Sequence, residues 1–193
     1  PRASYEKMIE IVTVAETYLE KHAAVDVRVH RKEEIDALKI AQLRQKVSKV
    51  CKKPILAHLD NSDTSVAFSN LTGIKKITDR GPLTPDHIIR TKRTPLVLSD
   101  DHSKDLKNYS KEYENYFNEF NTSNLTSLDA APRWAVWPGQ GVLSFDTSIK
   151  YIKIIQDISR HTMKAIYQAE KLGGWNTLSK KDLFEMEYWS LEQ

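Results

Sequence analysis

The sequence predicts an α/β fold in which short buried strands alternate with amphipathic helices. Apolar residues recur at helical spacing over residues 4–22 and again over residues 148–172. Between these segments, short apolar runs are bounded by proline, glycine and aspartate, a pattern typical of buried strands. We therefore predict a mixed sheet flanked by helices.

The predicted helices begin and end at recognisable residues. Pro54 ends the second helix because proline cannot continue the hydrogen-bonded ladder. Gly73 and the Gly173-Gly174 pair mark two further ends, and Ser179 opens the last short helix with a capping-box pattern. Besides this last helix, helices are predicted at residues 4–22, at residues 33–52, in a segment that ends at residue 71, at residues 105–120 and at residues 148–172. Strands are predicted at residues 55–59, 74–77, 95–98, 134–137 and 142–145.

Composition limits the possible classes of function. The 193 residues carry a net charge of +3, too small by itself to indicate a nucleic-acid binder. No apolar run approaches the roughly 18 residues that span a bilayer, and the N-terminus does not resemble a signal peptide. We therefore expect a cytoplasmic protein that binds neither membrane nor nucleic acid. The single Cys51 cannot form an internal disulfide and is predicted to be a helix packing residue.

One compact segment, residues 79–95, combines turn residues, a helix start and basic side chains. Thr84 followed by Pro85 is typical of an N-cap and first helical residue, and the free N–H groups of such a turn can bind an anion. Cations follow about two turns later, so the segment could hold a phosphate or carboxylate. The candidate substrate-binding residues are Thr84, Asp86, His87, Arg90, Lys92 and Arg93.

A simpler interpretation of the same segment stays open. A short capped helix with a solvated basic end would give the same pattern. Asp86 and Arg90 stand four residues apart and could simply pair with each other. If the segment binds a substrate, Arg90 would bind the anion through two hydrogen bonds from its guanidinium group. His87 would carry a proton or donate a hydrogen bond.

Zinc and dinucleotide sites are not indicated within this chain. A zinc aldolase centre needs three neutral imidazoles on one metal. The six histidines form neither a His-x-His pair nor an HExxH helix; they are His22, His30, His58, His87, His102 and His161. Gly139-Gln140-Gly141 lacks the third glycine of a dinucleotide motif. We therefore expect no metal ligand, no bound cofactor and no catalytic residue in this chain.

The first and the last long helix share one apolar pattern at an offset of 144 residues. The matched pairs are Ser4 with Ser148, Met8 with Ile152, Ile11 with Ile155, Val14 with Ile158, and Leu19 with Met163. A structural repeat would place both helices on a central sheet. Alternatively, any two amphipathic helices can be aligned in some register.

Three stretches resemble one family. Residues 81–96, GPLTPDHIIRTKRTPL, resemble a signature of the bifunctional aldolase/short-chain dehydrogenases of the class II aldolase/adducin superfamily. Residues 132–145, PRWAVWPGQGVLSF, resemble the family's later strand-turn-strand. Residues 182–193, DLFEMEYWSLEQ, resemble its junction before the dehydrogenase. The resemblance implies a partial three-layer α/β/α fold, with residues 1–172 as the C-terminal part of an aldolase-like domain and residues 173–193 as a linker helix toward a missing dehydrogenase.

The resemblance also implies a function for the parent protein. Such a parent would cleave a ketose 1-phosphate of the rhamnulose 1-phosphate type with zinc and oxidise the aldehyde product with NAD. Its His-x-His pair and acidic base would lie upstream of Pro1. The family would also have a metal-binding histidine in a His-Gly turn just before the first long helix, and in the second copy of that pattern the ligand position is Gln140. The chain would then supply scaffold and substrate contacts, and a homo-oligomer is expected.

Two rival functions remain open from the sequence. A non-catalytic interaction or oligomerisation module would have the same composition but would bind no sugar phosphate. A nucleic-acid binder would use the basic face of residues 39–53 and would show a steep salt dependence. No aromatic residues are interleaved with those lysines, so this function is the least favoured.

Overall fold

The computed structural model describes residues 2–24, 34–122 and 124–190. The helices are α1 (Arg2–Ala23), α2 (Ala37–Cys51), α3 (Asp63–Ser69), α4 (Ile74–Thr78), α5 (Ile88–Thr91), α6 (His102–Phe120), α7 (Ile149–Lys171) and α8 (Lys180–Glu187). A single 3-10 turn, Pro85–His87, precedes α5. The strands are β1 (Leu56–Asp60), β2 (Leu96–Val97), β3 (Trp134–Trp137) and β4 (Gly141–Asp146).

These strands form a mixed four-stranded sheet with the order β1-β4-β3-β2. Strand β4 is antiparallel to both β1 and β3, whereas β2 runs parallel to β3. Leu143 lies at the centre of the sheet and pairs with Leu59 on one side and Ala135 on the other. The predicted mixed sheet is therefore confirmed.

Helices cover both faces of the sheet because successive residues of β4 point to opposite sides. Leu143 and Phe145 face α2 and α6, where they join a cluster that includes Leu43, Val47 and Leu106. Val142 faces the other way, into a cluster with Val136 of β3, Phe68 of α3, Ile74 and Ile77 of α4, and Ile155 and Met163 of α7. The sheet thus lies between two helical layers, as expected for the predicted α/β fold.

The segment predicted as a strand at residues 74–77 is a helix. Gly73 has a left-handed φ of 74° immediately before α4. Ile74 and Ile77 are both buried, whereas Lys76 is exposed. This three-residue spacing puts the two isoleucines on one helical face, and a strand would instead have placed residues 74 and 76 together. A short apolar run does not distinguish the two structures by periodicity alone.

The first helix does not cover the sheet as predicted. Within α1 only Ala23 is buried. Met8, Ile11 and Val14 are exposed by 51, 60 and 65%. In α7 the counterparts of the first two, Ile152 and Ile155, lie in the core, and Ile158, the counterpart of Val14, is half-buried. Helix α1 contacts α7. The prediction that both helices lie on a sheet is therefore wrong for α1 and right for α7.

No helix in the part of the chain that the structure describes combines the length and apolar character needed to cross a bilayer.

Helix α6 begins with an N-cap residue, Asp101, whose contribution to stability can be measured. Asp101 accepts hydrogen bonds from the backbone N–H groups of Ser103 at 3.1 Å and Lys104 at 3.0 Å. Asp101→Ala is expected to lower the free energy of unfolding by about 1 kcal/mol because these helix donors lose their partner. Urea unfolding measures this, with the exposed neighbour Asp100→Ala as control. Equal losses in the two variants would show that the cap contributes nothing specific.

Candidate functional site

The Thr84–Arg93 segment lies between α4 and β2 and is built from the 3-10 turn and α5. Thr84 occupies the predicted cap position and Pro85 the first helical position, but the Thr84 hydroxyl makes no capping hydrogen bond. At the other end Lys92 has a left-handed φ of 60° with ψ of 177°. Residues with a Cβ rarely adopt this backbone conformation, and it ends α5.

The three cations of the segment point to different surroundings. The Arg90 side chain is exposed, and its guanidinium carbon lies 5.9 Å from the centre of the Tyr151 ring on α7. Arg93 donates a hydrogen bond to the Asp79 carbonyl at 2.9 Å and lies 5.5 Å from the Tyr116 ring centre. Lys92 is buried. The cations therefore do not form one cluster around an anion, and Arg90 is the one that faces solvent.

The two remaining candidate residues, Asp86 and His87, also lie in different surroundings. Asp86 is exposed, whereas His87 is partly buried with its ring edge-on to His161 at 6.3 Å between ring centres. Burial, followed by the nearby His161, lowers the pKa of His87 below its ordinary value. Its Nδ1 atom is buried and has no hydrogen-bond partner among the described residues. The lowered pKa favours the neutral imidazole, which is suited to hydrogen bonding rather than to charge pairing.

Lys92 belongs to a buried polar network that the sequence analysis did not identify. The side chain is only 3% exposed, and its Nζ atom lies 3.5 Å from the centre of the Tyr113 ring. Nζ also donates a hydrogen bond to the carbonyl oxygen of Asp129. Burial, reinforced by the charge of Arg133, lowers the pKa of Lys92 to about 7. The cation–π contact and the carbonyl partly replace the water that Lys92 loses.

A partly buried ion pair forms the second part of this network. Arg133 donates two parallel hydrogen bonds to the carboxylate of Asp129, at 2.9 and 2.7 Å. Burial alone would raise the pKa of Asp129, but the Arg133 hydrogen bonds and charge hold it well below its usual range. Cys51 lies beside the same carboxylate, with Sγ 3.4 Å from Oδ1. Burial raises the pKa of Cys51 to about 11, so this thiol is a protonated packing group, as predicted.

The third part comes from the end of α8. Glu187 is 2% exposed, and its Oε1 atom accepts a hydrogen bond from the Tyr113 hydroxyl at 2.9 Å. That hydroxyl also lies 2.8 Å from the Tyr188 hydroxyl, which accepts a hydrogen bond from the Leu128 N–H at 3.2 Å. Burial raises the pKa of Glu187 above its ordinary value, although the Lys92 charge opposes this.

The three family-like stretches are therefore connected by one polar network, in which Asp129 links Lys92 to Arg133 and Tyr113 links Lys92 to Glu187. Lys92 comes from residues 81–96, Arg133 from residues 132–145, and Glu187 from residues 182–193. A usable signal was present in the sequence, since Arg133 and Glu187 each stand among large apolar residues where a charge needs a partner. The pattern could not show which charges meet.

The described residues do not fit a zinc centre. Within residues 2–24, 34–122 and 124–190, no three side chains of histidine, cysteine, aspartate or glutamate come together. His30 lies outside the described residues. The Gly139-Gln140-Gly141 turn joins two antiparallel strands, whereas a dinucleotide motif leads from a strand into a helix.

Comparison with known proteins places the chain in a family. The family model "Aldolase class II, second domain" matches residues 34–193. An oxidoreductase of Bacillus subtilis (strain 168), YuxG, described as uncharacterized, is 26% identical over 210 residues, which cover 97% of this chain and 30% of the relative. The chain thus spans under a third of that relative's length. The crystal structure of Escherichia coli YgbL aligns with a TM-score of 0.46 and 16% identity, over 78% of this chain and 64% of that one.

The family match extends from just before α2 to the end of the chain, and therefore includes the whole sheet, both helical layers and the buried network. It covers far more than half of the chain, so the chain belongs to the family of the class II aldolase second domain.

Proposed function

We propose that this chain is the part of a bifunctional class II aldolase/short-chain dehydrogenase that shapes the substrate site without holding the metal. The parent protein would cleave a ketose 1-phosphate of the rhamnulose 1-phosphate type to dihydroxyacetone phosphate and an aldehyde. The match of residues 34–193 to the aldolase second domain carries this proposal. Zinc and NAD would be bound by other parts of the parent. The oxidoreductase name of the longer B. subtilis relative supports the fused dehydrogenase.

Within this chain, Arg90 is the residue best placed to contact a substrate phosphate. It is exposed and lies beside an aromatic ring. Its planar guanidinium can donate two hydrogen bonds to one phosphate, which a lysine cannot do in the same geometry. Lys92 and Arg93 would then anchor the segment rather than bind substrate, since one is buried and the other donates to the Asp79 carbonyl.

The activity can be tested on the intact polypeptide loaded with zinc. We expect release of dihydroxyacetone phosphate from rhamnulose 1-phosphate and much slower cleavage of the unphosphorylated ketose. A coupled assay that consumes dihydroxyacetone phosphate measures this directly. A folded, zinc-loaded protein that cleaves no ketose 1-phosphate would overturn the proposal.

Arg90→Ala in the intact polypeptide is expected to lower kcat/KM for the ketose phosphate roughly ten- to a hundredfold, because about 1.5–3 kcal/mol of charge-assisted hydrogen bonding is lost. The melting temperature should hardly change because the side chain is exposed. Steady-state kinetics give the first value and thermal unfolding the second. Lys150→Ala, an exposed cation one residue from Tyr151, is the matched control. Unchanged kinetics in a folded Arg90 variant would show that Arg90 does not contact the substrate and that the segment has only a structural role.

The exposed apolar side of α1 favours a second candidate function, that of an oligomerisation module. Met8, Ile11, Val14 and Tyr18 are all more than half exposed along this one helix. A contiguous apolar surface of this kind marks an interaction site in a folded protein.

If a second copy of the chain covers this surface, Ile11→Glu should shift the protein from oligomer to monomer, because a charge would be buried without a partner. Sedimentation velocity measures the mass of the particle. Thr13→Glu, which places the same charge on the polar side of α1, should leave the oligomer intact. An unchanged oligomer in the Ile11 variant would show that α1 is not the contact.

A further inference from the structure

Helix α8 packs directly against the segment that carries the candidate substrate-binding residues. It contacts α5, the preceding 3-10 turn and α6. Leu183 and Phe184 are buried on its inner side. A Cβ atom added at Gly81, just before the segment, would lie 3.0 Å from the Leu183 side chain. The glycine therefore permits α8 to approach the start of the segment closely.

The C-terminal end of α8 is attached by polar contacts rather than by apolar packing alone. Glu187 accepts the Tyr113 hydroxyl hydrogen bond, and Tyr188 links Tyr113 to the Leu128 N–H. The Tyr113 ring in turn faces the ammonium group of Lys92. One residue of α6 thus connects the end of α8 to the end of the Thr84–Arg93 segment.

The connection that leads into α8 is suited to bending. Gly173 and Gly174 have φ values of 109° and 99°. An added Cβ at Gly173 would meet nothing within 4 Å, so this position lies in open space. Residues 174–179 have no regular secondary structure. Trp175 packs against the core cluster around Phe68 and Met163, and its carbonyl accepts a hydrogen bond from Arg80 at 3.2 Å. Residues 176–179 are exposed, so α8 can bend away from the domain after Trp175.

We propose that residues 179–190 form a latch that undocks from the domain as one unit, and that its docking orders the Thr84–Arg93 segment. In the docked state Glu187 and Tyr113 close over Lys92 and hold the backbone turn at that residue. Release of α8 opens the contact between Tyr113 and Glu187, admits water to Lys92 and frees the segment. A movement of the chain beyond α8 is thereby transmitted to the candidate substrate-binding surface. This coupling does not depend on which ligand the segment binds.

Hydrogen–deuterium exchange of the intact polypeptide tests the coupling. Glu187→Ala is expected to speed amide exchange in α8 and in residues 84–93 together, each by about tenfold or more, because local opening becomes easier. Labelling of the Lys92 amine by an acylating reagent should rise in parallel. Amides of β4 should keep the wild-type rate. Glu185→Ala, which removes an exposed carboxylate of the same helix, is the control and should change neither region.

Two outcomes would overturn the latch. Faster exchange in α8 with unchanged exchange in residues 84–93 would show that the two elements are independent. Equally accelerated exchange in β4 would show general destabilisation rather than a local opening. Tyr188→Phe keeps the ring and removes only the hydroxyl, so it decides the question if Glu187→Ala does not fold. For this variant a parallel acceleration on the order of tenfold is expected, because the Tyr188 hydroxyl loses its hydrogen bonds with the Tyr113 hydroxyl and the Leu128 N–H.

Discussion

Gly141→Ala is expected to lower the free energy of unfolding by at least about 3 kcal/mol, since it combines backbone strain with a backbone clash. Gly141 has a φ of 121°, a conformation that residues with a Cβ rarely adopt. An added Cβ would stand 2.2 Å from the Asp60 carbonyl oxygen and 3.2 Å from its carbonyl carbon. Both atoms belong to the backbone, so no side-chain rotation can relieve the contact.

The Gly141→Ala substitution should also weaken core packing, because the clash lies where β1 pairs with β4. The neighbouring residue Val142 pairs with Asp60, and the same strand contributes Leu143 to the opposite core cluster. Strand β1 would have to move away from β4, which weakens packing on both faces of the sheet.

Urea unfolding of Gly141→Ala and Gly173→Ala separates the two causes. Gly173 has a similar φ of 109° but no atom within 4 Å of an added Cβ. It should therefore lose only the strain term, about 1–2 kcal/mol. If the two variants lose the same free energy, the close approach to Asp60 contributes nothing and the turn is freer than its geometry indicates.

Features that depend on neighbouring residues could be predicted from the sequence. The capping-box pattern predicts that Ser179 opens the last helix, and its hydroxyl accepts a hydrogen bond from the Asp182 N–H at 3.2 Å. The β3–β4 hairpin followed from two apolar runs around Pro138 and two glycines. In each case the determining residues lie within a few positions of one another, so the pattern contains the necessary information.

The candidate site could be predicted only in part because it depends on distant residues. The sequence pattern groups Lys92 with Arg90 and Arg93 as one set of cations. Its side chain instead lies in the core, where it meets Tyr113 and Asp129, after a left-handed backbone turn that no glycine signals. The exposure of α1 is likewise invisible in its own sequence, because an apolar face does not specify what covers it.

Lys92→Met is expected to abolish a rise of stability with pH in the alkaline range. The pKa of Lys92 is about 7 in the folded chain and ordinarily 10.5. Between these values the unfolded chain binds a proton that the folded chain has released, so the free energy of unfolding increases with pH. Between pH ~7 and pH ~9 this single group should add about 2 kcal/mol in the wild type. The methionine variant should lack this increment.

The sign and the pH range of the slope together identify the group responsible. His87 and His102 also have lowered pKa values, but their ordinary value is 6.5, so their contribution lies below the range of the Lys92 effect. Burial raises the pKa values of Glu187 and Cys51, so the folded chain keeps their protons above their ordinary values of 4.5 and 9.0. Both groups therefore make stability fall as pH rises, the opposite of the Lys92 effect. Urea unfolding at several pH values measures the slope, with the exposed Lys164→Met as control. If the methionine variant keeps the wild-type rise, another basic group releases the proton. Burial of the charged Lys92 side chain would then not lower the stability of the folded chain.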